Sequence, residues 1–183
     1  MVKIIFESHS TTIDNENHLS SGWNDVELSE LGNKQSIELG ERYKDENFDV
    51  IFCSDLQRSY KTAEIAFADR NIPIIKDERL RECDYGDYTQ KSSSEVDEQK
   101  IKRIYEPFPN GESYEETAVK MKDFLEDLLK NYADKKVMII GHRATQYGLE
   151  LWVNGVSLER SIGDHKNWKW QPGWEYNFTE LKK

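Results

Sequence analysis

Short apolar runs of strand length alternate along the chain with segments whose apolar residues recur every three or four positions. The first pattern is typical of buried strands, and the second of helices that pack one face against a sheet. We therefore predict an α/β fold, a three-layer α/β/α sandwich with a mostly parallel central sheet, built as a single domain over residues 1–183. Strands are predicted at residues 4–9, 49–53, 72–75, 136–141 and 176–181, and helices at 29–44, 54–67, 113–132 and 143–153.

The helix predicted at 29–44 illustrates the helical pattern. Ser29 is a favourable N-cap, because its hydroxyl can accept a hydrogen bond from a free N–H of the first turn. The residues at helical spacing predict one mostly apolar face against the sheet. They are Leu28, Leu31, Gln35, Leu39 and Tyr43.

Two predicted strands end in a histidine. The first apolar run stops at His9, and the continuous apolar run at 136–141 stops at His142. Ligands of α/β proteins bind beyond the carboxyl ends of parallel strands, so these positions are candidates for a functional site. A lone histidine at a strand end is more often structural, but the repetition favours function.

Two other polar side chains follow predicted strands. Arg58 lies in the first turn of the helix after residues 49–53, where a cation does not suit the helix dipole unless it shares an anion with the free N–H groups. Glu82 lies in a charged, turn-rich stretch after the predicted edge strand at 72–75. By themselves, both could be ordinary solvated side chains.

Together, His9, Arg58, Glu82 and His142 are the groups that phosphoryl transfer needs without a metal. One imidazole can attack phosphorus, the guanidinium and second imidazole can neutralise the phosphoryl oxygens, and the carboxylic acid can protonate the leaving oxygen. A zinc site is the alternative for two histidines and a carboxylate. We rank zinc lower because Arg58 would repel the metal.

Composition and charge restrict the partners. A formal charge of −10 argues against nucleic acid and anionic membranes, which require a basic surface. No apolar run approaches the roughly 18 residues of a membrane span, and no signal-peptide pattern follows Met1, so we expect a cytoplasmic protein. Cys53 and Cys83 lack metal-ligand spacing and are expected to be reduced thiols.

The motifs around these residues resemble those of the histidine phosphatase superfamily, the phosphoglycerate mutase-like enzymes, over nearly the whole chain. Six segments carry the resemblance. They are His9, Thr12 and Asn15; Gly22, Trp23, Asp25, Leu28, Ser29 and Gly32; Ser54, Leu56, Arg58, Thr62 and Ala63; Leu80, Glu82 and Gly86; Pro109 to Ser113; and Gly141 with His142.

The resemblance implies roles for these residues. His9 would accept the phosphoryl group, Glu82 would be the general acid, and Arg58, His142 and Asn15 would bind phosphate, with no metal or organic cofactor. The Ser21-Gly22-Trp23 stretch resembles the substrate loop of the mutases. A small phosphorylated metabolite is the implied substrate, and the oligomeric state is not implied.

The chain departs from the family in its first motif. Ser8 stands where the family has an arginine that binds phosphate, Ser10 replaces the family glycine, and Thr11 replaces the family glutamate. A charge-assisted hydrogen bond to phosphate contributes roughly 1.5 to 3 kcal/mol, so this change could slow turnover about tenfold to a hundredfold. Arg143, next to His142, is a candidate replacement cation, and Ser8 remains a candidate phosphate contact.

Three functions are compatible with this pattern. The first is a phosphatase that passes phosphate from His9 to water. The second is a phosphoglycerate-type mutase, disfavoured because Cys83 stands where the mutases have an arginine and because the chain is short. The third is a degenerate member that binds a phosphorylated ligand without turnover, supported by Ser8 alone. We predict a phosphatase, with a possible lid at about 92–110; nucleotides, sugar phosphates and glycolytic acids all fit as substrates.

Overall fold

A five-stranded sheet with strand order β3-β2-β4-β1-β5 forms the middle of the molecule in the computed structural model, which describes residues 1–167 and 169–182. The first four strands are parallel, and β5 is antiparallel to β1, which confirms the predicted mostly parallel sheet. The strands are β1 Val2–Ser8, β2 Val50–Cys53, β3 Ile74–Lys76, β4 Lys136–Gly141 and β5 Trp174–Phe178.

The last strand differs from its prediction at both ends. It was expected at 176–181, but it begins at Trp174 and ends at Phe178. The reason is the partner strand, because Val2, the first residue of β1, lies opposite Phe178. No β1 residue remains to pair with the chain beyond that point.

Helices cover both faces of the sheet. They are α1 Ile13–Glu16, α2 Glu30–Arg42, α3 Gln57–Ala66, α4 Ser93–Gln99, α5 Tyr114–Asn131, α6 Arg143–Trp152 and α7 Leu158–Gly163, with 3-10 turns at Glu78–Leu80, Gly86–Tyr88, Lys102–Ile104 and Asp164–Asn167.

The strands are buried between two helical layers. On one face, Leu39 of α2 and Ala63 of α3 belong to a core cluster with Met138 of β4. On the other face, Leu125 of α5 packs in a cluster with Ile139. Alternate β4 residues thus enter opposite clusters, as expected for a central strand buried on both faces. This arrangement confirms the predicted three-layer sandwich.

Helix α2 contacts the loop after β1 through small residues that its apolar pattern does not reveal. Leu31, predicted to face the core, is 48% exposed. The inward face instead contains Gly32 and Ser36, and a Cβ on Gly32 would lie only 1.9 Å from the Thr11 carbonyl oxygen. Small residues therefore let α2 approach the loop after β1, and this close contact turns Leu31 outward.

Pairing of β1 with β4 brings the two strand-end histidines together. Ser8 lies opposite Gly141, and the backbone N–H of His9 donates to the Gly141 carbonyl at 3.0 Å. His142 follows directly as the N-cap residue of α6. Because the strands are parallel, both imidazoles leave the same edge of the sheet.

The segment at 92–110 is partly helical, as predicted. It contains α4 and the 3-10 turn Lys102–Ile104, and α4 begins with a capping box of Ser92 and Glu95. Val96, Ile104 and Phe108 are buried in a cluster with Tyr85, so the segment has an apolar inner side that the sequence pattern did not reveal.

Among residues 1–167 and 169–182, no helix combines the length and apolar composition that a membrane-spanning segment requires.

Candidate active site

A cavity of about 680 Å³ opens at the carboxyl edge of β1 and β4. It is bounded by the loop after β1, by α2 and by α4. The wall includes all but one of the residues predicted for the site. They are Ser8, His9, Asn15, Ser21, Gly22, Arg58, Glu82, His142 and Arg143.

His9 has the tautomer that a nucleophile needs. Its Nδ1 lies 2.8 Å from the carbonyl oxygen of Ser10. A carbonyl can only accept, so Nδ1 carries the proton and Nε2 has a free lone pair. Burial first, and the positive charge of Arg58 second, lower the pKa of His9 to about 3, while the bond to Ser10 opposes them. The ring is therefore neutral at physiological pH.

His142 lies against His9. Their ring centroids are 5.0 Å apart with a tilt of 55°. The His142 side chain is 2% exposed, and its Nε2 lies 2.6 Å from Ser54 Oγ, just after β2. Burial lowers the pKa of His142 well below its ordinary value, and Arg58 and His9 lower it further.

Arg58 supplies a buried cation to the cavity. It lies in the first turn of α3, is 2% exposed, and donates from Nη1 to the Asn24 carbonyl at 3.0 Å and from Nη2 to the Gly22 carbonyl at 2.7 Å. Within the described chain these two bonds leave other N–H donors of the guanidinium for an anion. Burial lowers the pKa of Arg58, and the charge of Glu82 opposes this effect. Arginine nevertheless stays protonated.

Gly22 helps to fix this guanidinium. Its φ of +51° lies in the left-handed region, where a side chain is strained. A Cβ would also lie 3.1 Å from Cδ2 of Tyr85. Glycine at this position therefore directs the carbonyl toward Arg58. The neighbouring Ser21 hydroxyl donates to Asp14 Oδ2 at 2.9 Å and fixes the loop on the other side.

Glu82 is held by backbone donors at the cavity wall. Its side chain is 8% exposed, Oε1 accepts from the Cys83 N–H at 2.8 Å, and Oε2 accepts from the Arg143 N–H at 3.2 Å. Its carboxyl group therefore joins the loop after β3 to the first turn of α6. Cys83, at the position where mutases have an arginine, is fully buried and cannot contact a substrate in the cavity.

Trp23 is the one predicted site residue that does not line the cavity. Predicted as part of the substrate loop, it instead donates from Nε1 to the Glu82 carbonyl at 2.7 Å. The loop turns at Gly22, and this turn points the indole behind Glu82 and away from the open space. Only Ser21 and Gly22 of the three-residue stretch reach the cavity.

Asn15 and Arg143 also line the cavity, but both have protein partners. Asn15 Oδ1 accepts from the Thr12 N–H at 3.0 Å in the capping box of α1, which leaves its amide group as a donor. Arg143 donates from Nη1 to Gln146 Oε1 at 2.6 Å and from Nη2 to the Tyr147 hydroxyl at 3.4 Å. Its guanidinium thus lies along α6 in this state.

The sequence prediction missed a buried ion pair in the cavity wall. Glu7, two residues before His9, is 1% exposed, and its Oε1 accepts from Arg42 Nη1 at 3.0 Å and from the Tyr43 hydroxyl at 2.7 Å. Burial raises the pKa of Glu7, while its partners lower it. A glutamate inside an apolar strand was the available signal. Gln35 of α2 also lines this side of the cavity.

Within residues 1–167 and 169–182, no group of three or more His, Cys, Asp or Glu side chains could hold a metal ion.

Comparisons with known proteins identify the family of the chain. The family model of the histidine phosphatase superfamily (branch 1) matches residues 4–163. Phosphoserine phosphatase 1 of Hydrogenobacter thermophilus is 33% identical over 169 residues, which cover 87% of this chain and 80% of the relative. A 2,3-bisphosphoglycerate-dependent phosphoglycerate mutase of Streptococcus uberis is 39% identical over 104 residues, 54% of this chain and 45% of the mutase.

Among solved structures, Bacillus stearothermophilus YhfR superimposes with a TM-score of 0.79 at 25% identity, covering 88% of this chain and 84% of that protein. The strand-end histidines, the buried arginine and the family match lead to one conclusion. The chain belongs to the histidine phosphatase superfamily.

Proposed function

We propose that the protein hydrolyses phosphate monoesters of small metabolites through a phosphohistidine formed on His9. The observation that carries this proposal is the hydrogen bond from His9 Nδ1 to the Ser10 carbonyl, 2.8 Å long. It leaves Nε2 unprotonated in a cavity that also contains the Arg58 guanidinium. Relatives whose names identify them as phosphatases support the same activity.

In the first step, His9 Nε2 attacks phosphorus and the bond to the leaving oxygen breaks. Arg58 neutralises part of the charge on the phosphoryl oxygens, the His142 ring, which its low pKa keeps neutral, donates one hydrogen bond to them, and Asn15 donates from its amide group. Glu82 donates its proton to the departing alkoxide.

In the second step, water attacks the phosphohistidine. Glu82, now ionised, takes a proton from the water, and the nitrogen–phosphorus bond breaks to release inorganic phosphate and neutral His9. The low pKa of His9, about 3, suits both steps, because the ring is an unprotonated nucleophile and then a leaving group.

Because Ser8 replaces the family arginine, the phosphate pocket has one cation fewer than the family pattern. We propose that Arg143 supplies the missing cation when substrate binds. Its side chain lines the cavity beside His142, and a guanidinium forms charge-assisted hydrogen bonds with a phosphate dianion. The Ser8 hydroxyl contributes one neutral hydrogen bond.

The leaving group contacts the part of the cavity away from His9 and Arg58. Ser21, Gly22 and Tyr85 form one side, and Ser93, Asp97 and Lys100 of the 92–110 segment form the other. We propose that this segment acts as the lid of one domain that spans 1–183. We infer from the formal charge of −10 that nucleic acid and anionic membranes are not partners, and a cytoplasmic location stays a prediction from the sequence pattern.

The test uses p-nitrophenyl phosphate, a panel of phosphorylated metabolites, and 3-phosphoglycerate. Wild type should release phosphate from p-nitrophenyl phosphate and from a metabolite panel that includes O-phosphoserine, and His9→Ala should abolish release with unchanged circular dichroism. Isomerisation of 3-phosphoglycerate with a bisphosphate primer, without phosphate release, would assign a mutase instead. A His9→Ala variant with wild-type activity would refute the mechanism.

A further inference from the structure

The Trp23 side chain contacts the backbone of the proposed general acid from outside the cavity. Its indole Nε1 donates to the Glu82 carbonyl at 2.7 Å, whereas the Glu82 carboxyl group lines the cavity. Glu82 is thus held by its backbone carbonyl outside the cavity, while its carboxyl group faces the cavity. We propose that Trp23 is a positioning residue, which holds the Glu82 peptide so that the carboxyl group points at the leaving oxygen.

Two cations hold the indole in place. Arg81 Cζ lies 4.6 Å from the centroid of the Trp23 ring, and Lys120 Nζ lies 5.2 Å from it, both within cation–π distance. Arg81 makes a two-point ion pair with Asp55, at 2.7 and 2.5 Å, and Lys120 pairs with Glu112. The indole is therefore fixed between the segment before α3 and helix α5.

The same outer groups anchor the residues after Glu82. The backbone N–H of Asp84 donates to Glu112 Oε2 at 3.3 Å, and Cys83 is fully buried. Residues 82–84 therefore have little freedom except at the carbonyl that Trp23 holds. The Glu82 carbonyl and the Cys83 N–H belong to one peptide unit. Loss of the indole N–H would let this unit rotate, and the Cys83 N–H would then no longer be aligned with Glu82 Oε1.

This inference rests on the proposed function, because it requires Glu82 to give its proton to the leaving oxygen as the phosphorus–oxygen bond breaks. The sensitive property is then the dependence of kcat/KM on leaving-group basicity. Basic leaving groups need the proton, and p-nitrophenolate needs little help. A purely structural role of Trp23 would lower all rates by the same factor.

The chain offers a matched control. Trp152 at the end of α6 is also partly buried and donates from Nε1 to the Ala118 carbonyl, again at 2.7 Å, but it does not line the cavity. Trp23→Phe and Trp152→Phe therefore remove the same kind of bond. Each variant is assayed on aryl phosphates from p-nitrophenyl to phenyl phosphate, with thermal unfolding measured in parallel.

For Trp23→Phe we expect about a tenfold loss of kcat/KM on phenyl phosphate and a change within about twofold on p-nitrophenyl phosphate. Trp152→Phe should change both rates equally. In the Glu82→Gln background, Trp23→Phe should cause no further loss, because the group it positions no longer donates a proton. An equal loss on all leaving groups, or a further tenfold loss in that background, would overturn the proposal.

Lys120→Met provides a second route if Trp23→Phe does not fold, because Lys120 is partly exposed on α5. It should lower the rate on phenyl phosphate more than on p-nitrophenyl phosphate, and equal effects would overturn the proposal. An inactive wild type, or activity that survives His9→Ala, would instead refute the proposed function. An active, His9-dependent enzyme with a uniform Trp23→Phe effect refutes only the role of Trp23.

Discussion

Acid should destabilise the protein through His9, and replacement of this imidazole should remove that part of the pH dependence. The pKa of His9 falls from 6.5 to about 3 on folding, because burial and Arg58 disfavour the imidazolium. Between these pH values the unfolded chain binds a proton that the folded chain does not. The free energy of unfolding therefore rises with pH. The contribution of His9 to it is fully present above about pH 6.5 and is lost progressively as the pH falls toward 3.

The magnitude follows from the size of this window. A pH of 5 lies about 1.5 units below the pKa of the histidine in the unfolded chain, and each pH unit corresponds to about 1.4 kcal/mol. His9 alone therefore lowers the free energy of unfolding at pH 5 by about 2 kcal/mol relative to pH 8. For a chain of this size the change in Tm would be about 4 to 8 °C. His142 shifts in the same direction, so the wild type loses more than this amount.

The assay is urea unfolding at pH 8 and pH 5 in buffer free of phosphate, because a ligand of the folded state would add its own stability. Between these pH values, His9→Asn should lose about 2 kcal/mol less than wild type. His18→Asn is the matched control, because His18 is exposed and its φ of +55° suits asparagine. An equal loss of stability in His9→Asn, wild type and His18→Asn would contradict this role of His9.

Three other substitutions test the proposed roles. Glu82→Gln should lower kcat/KM on phenyl phosphate far more than on p-nitrophenyl phosphate, and equal losses would assign Glu82 to binding. Arg143→Ala should raise KM and weaken inhibition by vanadate by about tenfold, because a charge-assisted bond to phosphate is lost; unchanged constants would remove Arg143 from the pocket. Ser8→Arg should lower both activity and Tm, because its guanidinium enters a cavity that already contains Arg58 and Arg143. Higher activity of Ser8→Arg with tighter vanadate inhibition would show instead that the pocket has the family arrangement and only lacks one phosphate contact.

The buried Glu7 gives one reason to expect a remodelled pocket. Its ion pair with Arg42 fixes the end of β1 just before Ser8, and its bond to Tyr43 adds a second attachment to the C-terminal end of α2. Ser10 has a similar attachment, since its hydroxyl accepts from Ser36 at 2.9 Å. The end of β1 and the loop after it are therefore bound to α2 by polar contacts on either side of His9.

Local patterns along the chain were sufficient to predict the fold class and, apart from Trp23, to name residues that line one cavity. Apolar runs mark strands because a strand buried on both faces has apolar side chains throughout, and β4 follows this rule. Ser29 caps α2 as predicted, and Ser113 caps α5 in the same way, since a cap depends on residues within one turn. The meeting of His9 and His142 also followed from sequence, because parallel strands present their carboxyl ends at one edge.

Only the tertiary structure decided how those groups are oriented. Periodicity predicted Leu31 as a core residue, but the close approach of Gly32 to the loop after β1 exposes it. The motif placed Trp23 in the substrate loop, whereas a hydrogen bond to a residue 59 positions away draws it behind Glu82. The partners of Glu7, 35 and 36 residues distant, are likewise invisible to local patterns. Hydrogen bonds and ion pairs between distant segments depend on which elements pack together, and the hydrophobic pattern fixes which faces are buried but not which polar atoms meet.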